Sequence, residues 1–241
     1  MKHIEVFSIP EAVSKAAAAF IIGLAFESVA TKGKFVIALS GGNTPGQLFS
    51  LLASTEYHDK IPWANTYIFW GDERCVPLDD PANNAHVASL LLLNKVPVPQ
   101  SNIFPIPVSL PPADAALAYE KTIKDFFGEE EPCFDLILLG LGENGHTASL
   151  FPGTDVLQEQ VRLVKEVYVE ELKMFRITMT AHLINLAHNI LFLVTGKGKA
   201  AVLQNVLYGQ YLPSTYPAQL IEPLHGELYW FVDGNADNSI L

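Results

Sequence analysis

The chain is short of cysteine, of basic residues and of charge in general. Among its 241 residues there are two cysteines, Cys75 and Cys133, too few for the disulfide framework on which small secreted domains rely. With no secretory signal in front of them, they read as small buried apolar residues in a reducing compartment, and the expected location is cytoplasmic. They share no metal-ligand spacing with each other or with a histidine, so neither a metal site nor a cofactor is expected. Lysine and arginine together number 15 against 26 acidic residues, a formal net charge of -11. That balance opposes attraction to nucleic acid or to anionic lipid, both of which need a basic surface. An anionic ligand must therefore be held by a local cluster of donors.

Long uninterrupted apolar runs are missing as well. The stretch from Ala16 to Phe26 is too short to span a bilayer and lacks the cationic leader and cleavage site of a signal peptide. Glu11, Lys15 and Glu27 bracket it, which predicts an amphipathic helix over about residues 10–30, and no membrane partner is expected. What the chain has is apolar residues, 49% against 17% charged, a balance suited to a sheet buried on both faces. Its length fits one domain over residues 1–241, with a monomer as the expected state.

Short runs rich in Val, Ile and Phe alternate with helix-length segments, the pattern of parallel strands joined by crossover helices, so the fold class is α/β. Strands are expected at residues 35–39, 67–70, 134–139, 176–179, 190–194 and 228–232. Helices are expected near 45–53, 84–93, 112–127 and 199–207. Between Val96 and Pro112, prolines at 97, 99, 105, 107, 111 and 112 predict an extended loop crossing an edge of the sheet.

Four segments carry chemistry. After the strand FVIAL comes Ser40-Gly41-Gly42-Asn43-Thr44-Pro45-Gly46-Gln47, in which Thr44 suits an N-cap, Pro45 the first helical position and Gln47 the reciprocal cap. The glycines let backbone amides turn inward at the positive end of a helix dipole, a natural phosphate site. An ordinary strand-to-helix turn uses the same residues, and both readings stay open at this point. A second helix start, Thr195-Gly196-Lys197-Gly198-Lys199, puts two lysines where the dipole disfavours them by under about 1 kcal/mol. A charge-assisted bond to an anion, worth roughly 1.5–3 kcal/mol, outweighs that penalty.

The strand FDLILL leads into Gly140-Leu141-Gly142-Glu143-Asn144-Gly145. The three glycines match the dinucleotide fingerprint in spacing, but Pro152-Gly153 would stop within two turns the long helix that the fingerprint needs. The glycines instead shape a tight loop, and His146 follows at the carboxyl end of a central strand. An imidazole there can take a proton from water attacking a carbonyl. The other histidines, at 3, 58, 86, 182, 188 and 225, are assigned to ordinary helical or loop segments. The fourth segment, Gly71-Asp72-Glu73-Arg74, follows the strand YIFW, and Arg74 can clamp phosphate or carboxylate with its planar fork.

Taken together, SGGNTP at 40–45, GDERCVP at 71–77, GENGHTASLFPG at 142–153 and VTGKGKAAVL at 194–203 closely resemble the 6-phosphogluconolactonase family, in order and in spacing. Weaker matches at 176–180 and 217–221 extend the resemblance over essentially the whole chain. It implies a Rossmann-like α/β fold, a mostly parallel central sheet with helices on both faces, shared with the glucosamine-6-phosphate deaminases. It also implies metal-independent hydrolysis of 6-phospho-D-glucono-1,5-lactone, a phosphorylated sugar lactone, in the oxidative pentose phosphate pathway. By motif match His146 is the general base, and Ser40, Gly41, Gly42, Asn43 and Thr44, with Arg74, Arg176 and Lys199, hold the phosphate and orient the ring. Lys197 is not at the family's lysine position and reads as a surface charge.

Two positions depart from the family. Asn144 stands where an aspartate usually precedes the histidine by two residues. Its amide can accept a hydrogen bond but cannot stabilise an imidazolium by charge, and Glu143 is the other candidate for that task. Asn83-Asn84-Ala85-His86 replaces a hydroxyl residue and a tyrosine. The alternatives to a lactonase are a deaminase of the same fold and a noncatalytic sugar-phosphate sensor. The deaminases carry tyrosine after Asp-Glu and Phe-Asn-Glu after the histidine, where this chain has Arg74 and Ala148-Ser149-Leu150. A sensor of the regulator type would be expected to carry a helix-turn-helix or a basic patch, and neither is visible.

Overall fold

Side chains alternate across a strand, so a strand buried on both faces must be apolar at every position. Five segments approach this, and with an N-terminal strand they form the centre of the structure, a computed structural model describing residues 1–237. In chain order the strands are β1 (Lys2–Phe7), β2 (Phe35–Leu39), β3 (Thr66–Trp70), β4 (Asp72–Arg74), β5 (Leu136–Gly140), β6 (Val164–Val169), β7 (Met174–Met179), β8 (Asn189–Val194) and β9 (Glu227–Asp233). The helices are α1 (Pro10–Lys32), α2 (Asn43–Leu52), α3 (Asn84–Leu91), α4 (Pro112–Phe127), α5 (Ala181–Ile184) and α6 (Ala200–Tyr208).

Six strands pair in the order β1-β9-β8-β5-β2-β3, every pair parallel, and β4, β7 and β6 form a separate antiparallel sheet. Helices cover both faces of the parallel sheet. Phe20 of α1 packs on Tyr229 and Phe231 of β9, whereas Val232 and Ile4, on the other face, line a small cavity together with Ala200 and Leu203 of α6. On that same second face α4 lays Tyr119 and Phe126 against Phe69 of β3. The proline-rich segment skirts the β3 edge, meeting it at the bridge between Ile68 and Ile103, at the Thr66 carbonyl through Asn102, and by stacking Phe104 on Phe69.

The chain leaves β2 toward β3 on one side and β5 toward β8 on the other. The switch point of the sheet therefore lies between β2 and β5, and the crevice outside their carboxyl ends is where an open α/β sheet binds ligands. The loops at 40–44 and 140–146 both open there.

Several expectations change. Residues 176–179 are a strand, but they belong to β7 in the small antiparallel sheet rather than to the parallel one. β1, β4 and β6 carry too many polar residues to show as apolar runs, and each is exposed on one side or very short. His3 accordingly sits in a strand, stacked on Tyr229 and bonded to Glu227. Helix α2 begins at Asn43, not Pro45, and its N-cap is Gly42, with no side-chain cap. Thr44 is therefore not the cap, and Pro45 sits within the first turn, where no intrahelical N–H is lost. Cys75 and Cys133 are half-buried and unpaired rather than fully buried. The 23 residues of α1 make it long and apolar enough to cross a membrane by length and composition, unlike the shorter stretch at its centre. Here its stripe of Val13, Ala17, Ala18, Ile21 and Ala25 is covered by α2, β2 and β9.

The edge of β3 depends on one phenol. The Tyr119 hydroxyl accepts from the Trp70 amide at 2.8 Å and donates to the Trp70 carbonyl at 3.0 Å, both buried. Tyr119→Phe keeps the ring but leaves two buried backbone groups unsatisfied. It should lower unfolding stability by about 1–3 kcal/mol in urea denaturation, without a change in the far-UV spectrum.

Candidate active site

β5 ends at Gly140, and the chain turns back on itself through Gly142 and Gly145. The amide of Gly142 donates to the carbonyl of His146 at 2.8 Å, and that of Gly145 to Gly142 at 3.0 Å. Gly142 has to be glycine, because a Cβ there would overlap the His146 ring. Gly145, at φ +81, presses against Tyr216, and its carbonyl accepts from the Ala218 amide at 2.9 Å. No helix follows; the chain continues through turns to a short 3-10 segment at Asp155–Gln158, which removes the dinucleotide geometry.

The half-buried ring of His146 stacks on Phe151 with centroids 4.1 Å apart. Its Nδ1 lies 2.5 Å from Asn144 Oδ1, which also accepts from the His146 backbone amide at 3.3 Å. A carboxamide oxygen only accepts, so Nδ1 carries the proton and Nε2 keeps its lone pair. Glu143 does not take the aspartate's place: its carboxylate lies over Gly198. Burial pushes the His146 pKa down to about 4, helped by the positive charges of Arg176, Lys199 and Arg74. The ring is thus neutral at physiological pH, a base rather than a cation.

The cations come from three elements. Arg74 of β4 and Arg176 of β7 stand opposite each other in the antiparallel register. Like charges in that position are unfavourable, and the pair holds its guanidinium groups with few partners. Arg74 donates from Nη1 to the Ala82 carbonyl at 2.8 Å, and Arg176 lies 5.3 Å from the Phe151 ring centroid. The Nε–H of each is buried with no partner among the described residues. Lys199 sits in the short 3-10 turn at Lys197–Lys199 that leads into α6. Lys197 is more exposed, as expected.

Ser40 is buried at the end of β2. Gly41 packs so closely on the Asn84 side chain that a Cβ would collide with it, and Gly42, at φ +107, turns the chain into α2. Asn43 opens that helix with an exposed side chain. Thr44 Oγ1 bonds Thr195 Oγ1 at 2.7 Å, tying the loop after β2 to the loop after β8. Gly42 and Asn43 also line a cavity of about 800 Å3 between α1, α2 and α3. A second cavity, of about 500 Å3, opens beside His146, with Asn144, Phe151 and Thr154 on one wall and Lys165 to Val169 on the other.

Sequence reasoning missed the supporting residues. Glu73 accepts from the amides of Arg74, Asn84 and Ala85 at 2.7–2.8 Å, tying β4 to the start of α3, and burial pushes its pKa up to about 7. Asn83 caps α3 through the His86 amide, and Asn84 donates to the Asp72 carbonyl at 3.0 Å. Asn83 and Asn84, in the segment that departs from the family pattern, are therefore structural parts of the wall behind the glycine loop. Their only trace in the sequence is an N-cap residue at 83.

The ring titration is measurable. His146 should titrate near pH 4 by NMR, and Arg176→Gln should raise that value. Because the folded pKa lies below that of an unfolded histidine, about 6.5, the stability gained from holding the ring neutral is complete above about pH 6.5. It is lost progressively as the pH falls toward 4.

Residues 8–230 match the family model described as glucosamine-6-phosphate isomerases/6-phosphogluconolactonase. A 6-phosphogluconolactonase of Synechocystis is 41% identical over 89% of this chain and 88% of its own length. One of Rattus norvegicus is 36% identical over 95% and 90%. The solved structure of 6-phosphogluconolactonase from Trypanosoma cruzi superposes with a TM-score of 0.88 at 29% identity, covering 100% of this chain and 97% of that one. With a family match over nearly the whole chain, and with the loops of that family meeting at one crevice, this protein belongs to the glucosamine-6-phosphate isomerase/6-phosphogluconolactonase family.

Proposed function

We propose that this chain hydrolyses 6-phospho-D-glucono-1,5-lactone to 6-phospho-D-gluconate, the second step of the oxidative pentose phosphate pathway, in the cytosol, with His146 as general base. The observation that carries the reading is a neutral imidazole with Nε2 free and its other nitrogen held by Asn144, ringed by three cations. The lactonases among its relatives supply the substrate class.

In this mechanism the phosphate rests on the glycine loop at 40–44 and is gripped by Arg74, Arg176 and Lys199, which turns the lactone carbonyl toward the histidine. Nε2 takes a proton as water oxygen bonds to the carbonyl carbon. The oxyanion is met by amides of the glycine-rich loop or by Arg74. The ring carbon–oxygen bond then breaks, and the imidazolium returns the proton to the departing ring oxygen. No metal enters any step. A deaminase reading is disfavoured by Arg74, which follows Asp-Glu in the sequence where that group carries tyrosine.

His146→Ala should lower lactonase kcat by at least two to four orders of magnitude, toward the spontaneous rate. A variant turning over lactone at wild-type rates would remove His146 from the mechanism, and ammonia release from glucosamine 6-phosphate would restore the deaminase. Asn144→Asp should raise kcat tenfold or more, because a carboxylate stabilises the imidazolium that an amide cannot. It should also shift the acid limb of the pH–rate profile upward from about 4, since a neighbouring negative charge favours the protonated ring.

A further inference from the structure

A carboxylate withdrawn from water costs several kcal/mol unless its partners compensate. Asp72 is 5% exposed, and the proposed reaction gives it nothing to do. Its partners are informative. Oδ2 accepts from the Ser149 hydroxyl at 2.6 Å and lies 3.8 Å from Arg176 Nη1. Ser149 sits three residues after His146 in the same loop, and its amide donates to Thr178 Oγ1 at 3.2 Å. Thr178 is the residue opposite Asp72 in the β4–β7 register. The Asp72 carbonyl accepts from Asn84, which backs Gly41.

We infer that Asp72 is a positioning residue: its one buried carboxylate oxygen joins the loop carrying His146 to the guanidinium of Arg176 and so sets the spacing between base and anion clamp. The inference rests on the functional reading above. The same oxygen serves both partners, and Arg176 is held through Nη1 while its buried Nε–H has no partner among the described residues. The remaining link closes through packing, with Phe151 lying between the His146 ring and Arg176. Histidine, phenylalanine, arginine, aspartate and serine thus form a closed circuit, in which moving the aspartate oxygen moves both ends of the reacting geometry.

Asp72→Asn keeps an acceptor for Ser149 and the backbone carbonyl for Asn84, but removes the charge facing Arg176. Ser149→Ala cuts only the link to the histidine loop. In the full-length protein, lactonase kcat should fall at least fivefold in each variant. Affinity for inorganic phosphate should be unchanged within about twofold in Ser149→Ala, and unchanged or tighter in Asp72→Asn, where a competing anion is gone. The double variant should lose less than the product of the two single losses, because both act through one oxygen.

A fall in kcat of less than fivefold, loss of phosphate binding in step with kcat, or simple multiplication of the two losses would each overturn the role. Should Asp72→Asn fail to fold, Ser149→Ala alone retains the test, through kcat against phosphate affinity. The His146 ring signals in NMR should shift in both variants. If the wild type showed no lactone turnover while those signals still moved and phosphate still bound, the functional reading would fall and the positioning circuit would stand.

Discussion

The structure depends on one pairing, that of β2 with β5 in parallel at the middle of the sheet. Both strands are solidly apolar, and the crossovers leave them in opposite directions. No crossover can cover the crevice where they diverge, and their loops are obliged to meet there. Each loop brings something different: β2 leads to glycines and the start of a helix, and β5 to a histidine held by an asparagine. The cations come from elsewhere, two from a small antiparallel sheet and one from the turn after β8. The parallel sheet fixes the place of the crevice, and the second sheet supplies much of the charge that a ligand would meet.

The parallel core was legible in the sequence because a strand buried on both faces writes itself as a run of apolar residues. β2 and β8 illustrate this, with boundaries read to within a residue. β1, β4 and β6 were not legible, because a strand with one wet face, or only three residues long, leaves no run to find. His146, Arg74, Arg176 and Lys199 were read from motifs and resemblance, and the fold gathers them. Asp72, Glu73 and Asn84 stood inside motifs, but their roles escaped notice for a different reason. A buried polar group is recognised by its partners, and those partners lie as far as 77 residues away in the chain.

Thr44 shows how local chemistry misleads. Its hydroxyl is of the right kind for an N-cap, and the proline after it agrees. The backbone nevertheless enters the helix two residues earlier, because Gly42 adopts the positive φ that the turn requires. The hydroxyl is then free to reach Thr195 across the crevice. A tertiary contact between two loops has displaced a local capping motif, and the two loops on which phosphate would rest are latched before any ligand arrives.

The opposed pair Arg74 and Arg176 has a consequence for the empty protein. The two residues stand opposite each other in the β4–β7 register, each with a buried Nε–H that has no partner among the described residues, and Arg176 has Asp72 3.8 Å away. On the proposed reading, an anion bound beside them would offset the like-charge pairing and offer both donors an acceptor. Ligand binding then becomes part of the folding equilibrium. On that reading, resistance to heat and proteolysis would rise with the concentration of a phosphorylated ligand.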